Sequence, residues 1–289
     1  MRLITTGLLC VCAGLAQAAG SGHNGHGDAP PRGAPRAWTD LPLIEVVPGR
    51  DRRQATFRLV NLEAASIKAF APGERAPLPE GVRFKSKRPS WDILPDFNGR
   101  FALQSQGVGN YHWLLARQES PESVIVASTA HYFPNPGPAP TDMLARSKSE
   151  LEIAPAPLPR EHNRYRENQA HRFEVRFQGA PLAGATVSFT NSAGTRTQFV
   201  SDSAGRVRVQ FPEDVQPAAT GRHGRGPANS FVLAVAHDAG GRHYLTAFNY
   251  SYGEDGYTGR SLAWGGGFMA LGSLIALPLI VRRKESKRG

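Results

Sequence analysis

The chain has 289 residues and a formal net charge of +10, with 34 Lys and Arg against 24 Asp and Glu. The last eight positions hold five of these basic residues and one acidic residue, so the rest of the chain has only a mild positive bias. The sequence lacks the dense Lys/Arg stripe with interleaved aromatic residues that nucleic-acid-binding proteins show, which disfavours a nucleic-acid partner.

Residues 1–18 have the layout of a secretory signal peptide. Arg2 precedes an apolar run, and Ala16-Gln17-Ala18 places small residues at the −3 and −1 positions of a cleavage site. The run is shorter than the roughly 20 residues that a transmembrane helix needs. Because Cys10 and Cys12 both lie in this segment, we expect no disulfide or thiolate metal site in the mature chain.

Residues 19–37 predict a flexible arm, because Gly and Pro are frequent and no apolar pattern supports a core. The arm carries His23, His26 and Asp28, which are candidate metal ligands. With cysteine removed, the remaining donors are imidazole, carboxylate and backbone nitrogen, a set that suits Ni, Co, Cu or Zn. If cleavage followed Gly20, the mature chain would begin Ser21-Gly22-His23 and could form a square-planar chelate for Ni(II) or Cu(II).

Residues 38–150 predict a first β domain. Short alternating segments are bounded by Gly, Pro, Asn or Ser, and long helical periodicity is hard to find. In QATFRLVNL, for example, Ala55, Phe57 and Leu59 lie on one face. RFALQSQG, NYHWLLARQ and SVIVASTAHYF follow at strand-like spacing, and a Pro-rich connection leads to a domain boundary near residue 150.

Residues 151–252 predict a second β domain, an Ig-like sandwich. Phe173, Val175 and Phe177 alternate with charged residues, so one face of this strand is apolar. The turns GAPLAG, NSAG and SDSAG separate the strands that follow. Short strands with turns at this spacing are typical of an antiparallel sandwich. The sequence therefore predicts an all-β protein with two antiparallel β-sandwich domains.

The second half carries the pattern G-x-PLAGA-x-V, then SD-x-x-GR-V-x-V-x-F, then FVLAVAHD. In this pattern, residues 151–250 resemble periplasmic proteins of the nickel/cobalt uptake accessory family. The resemblance implies a secreted β-sandwich of the carboxypeptidase-regulatory-like type, and it implies a metal transporter as partner, because these proteins are often encoded with one. Members often have histidines close to the mature N-terminus, and this chain has His23 and His26 there.

His112 and His131 are further candidate ligands in the first domain. They lie on adjacent strand-like segments, either side of the QESPES turn. A turn centred near Ser120 would place His112 opposite Ser128, and His131 would then lie on the other face unless a bulge changed the parity.

His237 and His243 are the candidate ligands of the second domain. They flank the Gly240-Gly241 turn and could converge with Asp238 at one end of the sheet. For all four histidines of the body, the competing interpretation is a strand histidine that is solvent-exposed or hydrogen-bonded.

The C-terminal region predicts a membrane anchor. Residues 253–261 form a linker, and residues 262–281 lack any charge over a length that matches a hydrocarbon core of about 30 Å. The basic tail 282–289 follows at once and favours a cytoplasmic C-terminus. We therefore expect a single-pass inner-membrane protein with its body in the periplasm.

Together these features predict a non-catalytic, membrane-anchored accessory protein for the uptake or handling of a transition metal. A metal transporter or receptor would be its partner. No G-x-S-x-G elbow, H-E-x-x-H motif or Gly-rich phosphate loop with a following Lys indicates an enzyme. The alternative is a periplasmic adhesion or scaffold module that binds another protein without a metal.

We predict that the mature protein begins at Ala19, because the small-residue rule favours cleavage after Ala18. N-terminal sequencing of the purified protein measures this directly. A chain that begins at Ser21 would contradict the prediction, and it would place His23 third in the chain, where the chelate can form.

Overall fold

The computed structural model describes most of the body and a few residues near the C-terminus. The described residues are 38–49, 51–72, 89–107, 109–136, 139–159, 164–216, 227–254, 267, 269, 271 and 273. The predicted signal peptide, the arm with its three candidate ligands, and the basic tail all lie outside these residues.

The described body consists of 16 β-strands and one short helix, so the expectation of an all-β protein is confirmed. The first half contains β1 (Leu43–Val47), β2 (Gln54–Val60), β3 (Ile67–Phe70), β4 (Ser90–Ile93), β5 (Arg100–Gln104), β6 (Tyr111–Glu119), β7 (Ser123–Tyr132) and α1 (Thr141–Ala145). The second half contains β8 (Leu151–Pro155), β9 (Tyr165–Arg166), β10 (Ala170–Phe177), β11 (Ala180–Pro181), β12 (Thr186–Asn191), β13 (Arg196–Val200), β14 (Arg206–Gln210), β15 (Ala228–Ala239) and β16 (Arg242–Gly253).

The described strands form three sheets. The central sheet has the order β13-β12-β15-β16-β7-β6-β3-β4, with β9 also pairing with β16. The first cover sheet has the order β1-β2-β5, and the second cover sheet contains β8, β10, β11 and β14. Most neighbours are antiparallel, as predicted, but β16 pairs in parallel with both β7 and β9. Strands from both sides of the predicted boundary near residue 150 therefore belong to the central sheet.

The two cover sheets pack on opposite faces of the central sheet. On β6, Trp113 and Leu115 share a core with Phe173 of the second cover sheet. The intervening Leu114 packs in a core with Phe57 of the first cover sheet. Because both faces of β6 are covered, its sequence is a nearly continuous apolar run rather than a simple alternation. Two β-sandwich layers thus use one common sheet.

Only four residues of the predicted transmembrane helix, residues 262–281, are described. Gly267, Met269, Leu271 and Ser273 are helical, and Met269 and Leu271 are exposed. Within the part of the chain that the structure describes, no helix has the length and apolar character needed to cross a membrane. The span therefore stays a prediction.

A buried lysine, Lys148, lies in the connection between α1 and β8. Lys148 Nζ donates to Arg146 O at 2.7 Å and lies 3.6 Å from Glu152 Oε2 and 5.1 Å from the centroid of the Trp113 ring. The side chain is only 1 % exposed. Burial lowers the pKa of Lys148 from 10.5 to about 8, although Glu152 acts in the opposite direction. The charged form is therefore costly in the folded protein.

We predict that the free energy of unfolding rises with pH above 8 in the wild type, relative to the Lys148→Met variant. Between pH 8 and 10.5 the unfolded chain keeps a proton that folded Lys148 has released, and this difference makes stability rise with pH. The expected rise is about 1.5 kcal/mol between pH 8 and about pH 9.5. Urea unfolding of both proteins across this range measures it, and parallel pH profiles would contradict it.

The SDSAG turn between β13 and β14 requires a glycine at position 205. Gly205 has φ +70°, and a Cβ there would lie 2.5 Å from Val175 O and 3.0 Å from Leu182 N. Asp202 Oδ1 closes the turn by accepting hydrogen bonds from Ala204 N and Arg206 N. The turn therefore packs tightly against the neighbouring backbone of β10.

We predict that Gly205→Ala lowers the free energy of unfolding by about 3 kcal/mol, through the positive φ and the backbone clash together. Gly194→Ala is the matched control: Gly194 has φ +93° and no atom within 4 Å of an added Cβ. The control should lose about 1 kcal/mol, from conformation alone. Chemical denaturation measures both, and equal losses would show that the close approach has no energetic effect.

Candidate functional site

A cleft opens in the central sheet where β7 and β16 separate. The two strands pair in parallel from Ser123 with His243 to Thr129 with Asn249. Beyond that point β7 continues beside β6, while β16 continues beside β15 and then β9. The cleft has a volume of about 540 Å³ and lies at the carboxyl ends of both strands.

The lining combines aromatic and polar side chains. Its aromatic residues are Trp38, Tyr132 and Tyr250. Its polar residues include Glu45, His131, Ser192, Ser230 and Ser251. Among the described lining residues there is no Lys or Arg, and the one carboxylate, Glu45, accepts a hydrogen bond from Arg58 Nη2 at 2.8 Å. A mixture of apolar surface and a few convergent polar groups is typical of sites for small ligands.

Asn249 holds the first cover sheet at the cleft. Ile44 N donates to Asn249 Oδ1 at 3.0 Å, and Asn249 Nδ2 donates to Ile44 O at 2.9 Å. Thr129 Oγ1 donates to Asn249 O at 2.7 Å, at the last paired residues of β7 and β16. These bonds fix β1 against β16, so the walls of the cleft are preorganised.

A polar network beside the cleft is centred on the Asp214 carboxylate. It accepts hydrogen bonds from Tyr252 Oη, from Asn191 Nδ2 and Thr195 Oγ1 at 2.7 Å each, and from Asn229 Nδ2 at 2.9 Å. Burial raises the pKa of Asp214, but the four hydrogen bonds outweigh it and the pKa lies below its usual value. Burial also raises the pKa of Tyr252, as does its bond to Asp214. Asp214 is thus ionised, and its carboxylate is hydrogen-bonded to side chains of the fold itself.

His112 and His131 are direct cross-strand partners in the hairpin of β6 and β7. The predicted register, which placed His112 opposite Ser128, is wrong by three residues. Ser120 N donates to Ser123 O at 2.8 Å, and Ser123 N donates to Ser120 Oγ at 3.0 Å, so the turn is centred between these serines rather than at Ser120. Residues directly opposite each other share a face, so the two histidines lie on the same face of the hairpin.

The two histidines differ in accessibility. His112 is fully buried, and its Nε2 accepts a hydrogen bond from Gln106 N at 3.4 Å. The Phe133 ring lies edge-on to both imidazoles, 5.1 Å from His112 and 4.6 Å from His131 between centroids. His131 is partly buried and lines the cleft. We interpret His112 as a core residue, whereas His131 can meet a ligand.

His237 and His243 do not converge, so the expectation that they share one site is wrong. The hairpin register pairs His237 with Tyr244 and Asp238 with His243, which puts the two histidines on opposite faces of the sheet. His237 packs against the Phe177 ring, 4.6 Å between centroids. His243 Nδ1 lies 2.7 Å from Asp238 Oδ1 at the surface.

These positions limit what the folded body can do with a metal. Among the described residues, no group of three or more His, Cys, Asp or Glu side chains is placed to hold a metal ion. His23, His26 and Asp28 lie outside the described residues. The cleft contributes His131, and Trp38, at the junction with the arm, lines the same cleft.

Trp38, Glu45 and Asn249 carry no sequence signal of a shared site. Asn249 meets Ile44 across 205 residues of chain and Thr129 across 120. Neither local periodicity nor a motif predicts these contacts. They depend on which strand of the second half pairs with β7, and in the structure that strand is β16.

Comparison with known proteins identifies no relative by sequence: no protein-family model and no curated protein matches the chain. Among solved structures, the chain is similar to Salmonella α2-macroglobulin reacted with methylamine, with 12% identity and a TM-score of 0.25, over 74% of this chain and 14% of the macroglobulin. It is also similar to domains FN1–FN3 of chicken CNTN1, with 10% identity and a TM-score of 0.21, over 74% of this chain and 66% of that one. At these TM-scores neither likeness bears on function.

Proposed function

We propose that the protein is a non-catalytic, membrane-anchored accessory protein that handles a transition metal such as nickel or cobalt in the periplasm. A metal transporter or receptor would take the metal from it. The observation that supports this best is the shared cleft: Trp38 follows the histidine-bearing arm directly, and it lines the same cleft as His131.

The candidate ligands of the arm lie close to Trp38 along the chain. His26 lies 12 residues before Trp38, a length of chain that spans at most about 40 Å. Tethering at one end gives such a segment an effective concentration in the millimolar range near its attachment point. The imidazoles of His23 and His26 in the arm, and that of His131 in the body, are donors of the kind that nickel, cobalt, copper and zinc accept.

The proposed anchor is consistent with the few described residues of the C-terminal segment. Met269 and Leu271 are exposed on a helix, although both are apolar, and Ser273 Oγ donates to Met269 O at 2.8 Å. A serine that bonds to the carbonyl four residues earlier satisfies its hydroxyl within its own helix. Such a helix suits a lipid environment, and the basic tail would hold its end in the cytoplasm.

A ligand set with few donors suits a protein that passes its metal to a partner. Coordination by four or more protein ligands would make dissociation of the metal slow. A weakly binding protein held at the membrane releases the metal faster, and its tether raises the rate at which it meets a partner in the same membrane. The small number of donors on the described body fits this role better than storage.

A protein-binding module without metal is the second candidate, and one surface feature favours it. Phe97 and Leu94 are 97% and 77% exposed in the turn between β4 and β5. Asp96 Oδ1 fixes this turn by accepting hydrogen bonds from Asn98 N and Arg100 N, at 2.9 and 2.8 Å. A rigidly displayed aromatic residue is a common anchor in protein interfaces.

We predict that the full mature chain, in detergent, binds Ni(II) or Co(II) with a Kd below about 100 μM. The double variant His23→Ala/His26→Ala should weaken binding at least tenfold, because it removes two of the proposed donors. His131→Ala should weaken it less, because it removes one donor. Isothermal titration calorimetry with Ni, Co, Cu and Zn measures these affinities.

His243→Ala is the matched control, because it removes an exposed imidazole of the body that lies outside the cleft. It should leave metal affinity unchanged. Wild-type affinity for all four metals weaker than about 100 μM, or affinity unaffected by the double variant, would favour the protein-binding module instead.

A further inference from the structure

The strand β13 lies at one edge of the central sheet, where β12 is its one described partner. Ser201 N donates to Ala185 O at 3.0 Å, and Asn191 N donates to Thr195 O at 3.1 Å, so the odd-numbered residues of β13 bond to β12. In an antiparallel ladder the intervening residues direct their backbone groups away from that partner. The residues of β13 with outward N–H and C=O groups, to which no described residue bonds, are Arg196, Gln198 and Val200.

No feature of the β13 sequence protects this edge. An open edge can pair with a further strand, and proteins prevent such pairing with proline, with bulges or with several charged side chains. The strand has no proline, its ladder with β12 is continuous, and its one charged residue is Arg196 at the first position. Gln198 is exposed, and Val200 is 64% exposed although it is apolar. The edge is therefore accessible to another strand.

Two other edges of the described sheets are protected against self-pairing. At β1, the outward backbone groups of Ile44 are bound by the side-chain amide of Asn249. The edge strand β14 exposes Arg206 and Arg208. Full antiparallel pairing of β14 with a second β14 would be centred on Arg208 and would place two guanidinium groups opposite each other, which is unfavourable.

From these features we infer that β13 pairs antiparallel with β13 of a second copy of the chain, about a two-fold axis at Gln198. In this register Gln198 lies opposite Gln198 of the second copy, and Arg196 lies opposite Val200. Each of the three outward residues then gains both a donor and an acceptor. The surface involves no lining residue of the cleft, so the inference goes beyond the proposed function and requires no metal.

Other registers satisfy fewer backbone groups. A shift of two residues in one direction places Val200 opposite Gly194, whose N–H already donates to Asn191 O at 3.1 Å. A shift in the other direction places Arg196 opposite Asp202, whose N–H already donates to Arg206 O at 2.8 Å. The register centred on Gln198 is therefore favoured.

The side chains of β13 are compatible with a second copy. Because Arg196 lies at one end of the strand, the two-fold axis separates the two guanidinium groups by about 14 Å. On the core side of the strand, Thr197 lies opposite the partly buried Phe199 of the second copy, at a pair where side chains approach closely. The proposed anchor would also hold both copies in one membrane and raise their effective concentration.

Single cysteines in the full mature chain, in detergent, test this register, because Cys10 and Cys12 lie in the predicted signal peptide. Under mild oxidation Gln198→Cys should form a disulfide-linked dimer, since Cα atoms of a hydrogen-bonded pair lie about 5.5 Å apart, within the range of a disulfide. Arg196→Cys is the matched control, because its two copies would be about 14 Å apart and should not link. A mixture of Arg196→Cys with Val200→Cys should link, and non-reducing gel electrophoresis measures every yield.

Adding Gln198→Lys to both chains of that mixture should lower the yield at least tenfold, because the two lysines would lie opposite each other. Gln104→Lys makes the same change at an exposed glutamine of β5 and should leave the yield unchanged. Equal yields for Gln198→Cys and Arg196→Cys would overturn the inference, because they would indicate random collision. The absence of any linked dimer would also overturn it, and would leave this edge to a strand of a different protein.

Discussion

The parallel pairing of β7 with β16 is the interaction on which the rest of the structure depends. Seven residue pairs, from Ser123 with His243 to Thr129 with Asn249, join strands of the first half to strands of the second half. This pairing makes one central sheet out of two sets of antiparallel strands, and the cover sheets then lie on its opposite faces. Because strands in the middle of such a sheet are buried on both sides, Leu114 and Trp113 serve different cores although they are neighbours in sequence.

The end of this pairing explains the position of the cleft. Two parallel strands that separate leave a gap between them. Here the ladder of β7 and β16 ends at Thr129 and Asn249, β9 pairs with β16 only from Tyr252 onward, and the cleft lies beside the end of the ladder. Asn249 has a double role, because its backbone ends the parallel ladder while its side-chain amide binds both backbone groups of Ile44. The site is thus built from rigid strands, and a ligand would meet walls that need little rearrangement.

The chemistry of the cleft connects the proposed metal function to the fold. The one imidazole of the cleft, His131, is too small a donor set to hold a metal ion tightly without further ligands. The two histidines of the β6–β7 hairpin differ in exposure. His112 is buried in the core, whereas His131 lines the cleft. The same imidazole chemistry therefore has different consequences on neighbouring strands, because His112 is fully buried beside Trp91 and Phe133, whereas His131 is partly buried and borders the cleft.

The sequence by itself determined the all-β class, because alternating residues such as Ala55 and Phe57, and turn glycines such as Gly205, act through local geometry. It also determined which residues could ligate a metal. Only the tertiary structure decided where these residues lie, since a three-residue difference in one turn pairs His112 with His131, and strand parity separates His237 from His243. The physical reason is the distance along the chain over which each interaction acts. Alternation and φ preference are properties of a few consecutive residues, whereas the cleft depends on hydrogen bonds between residues about 120 positions apart.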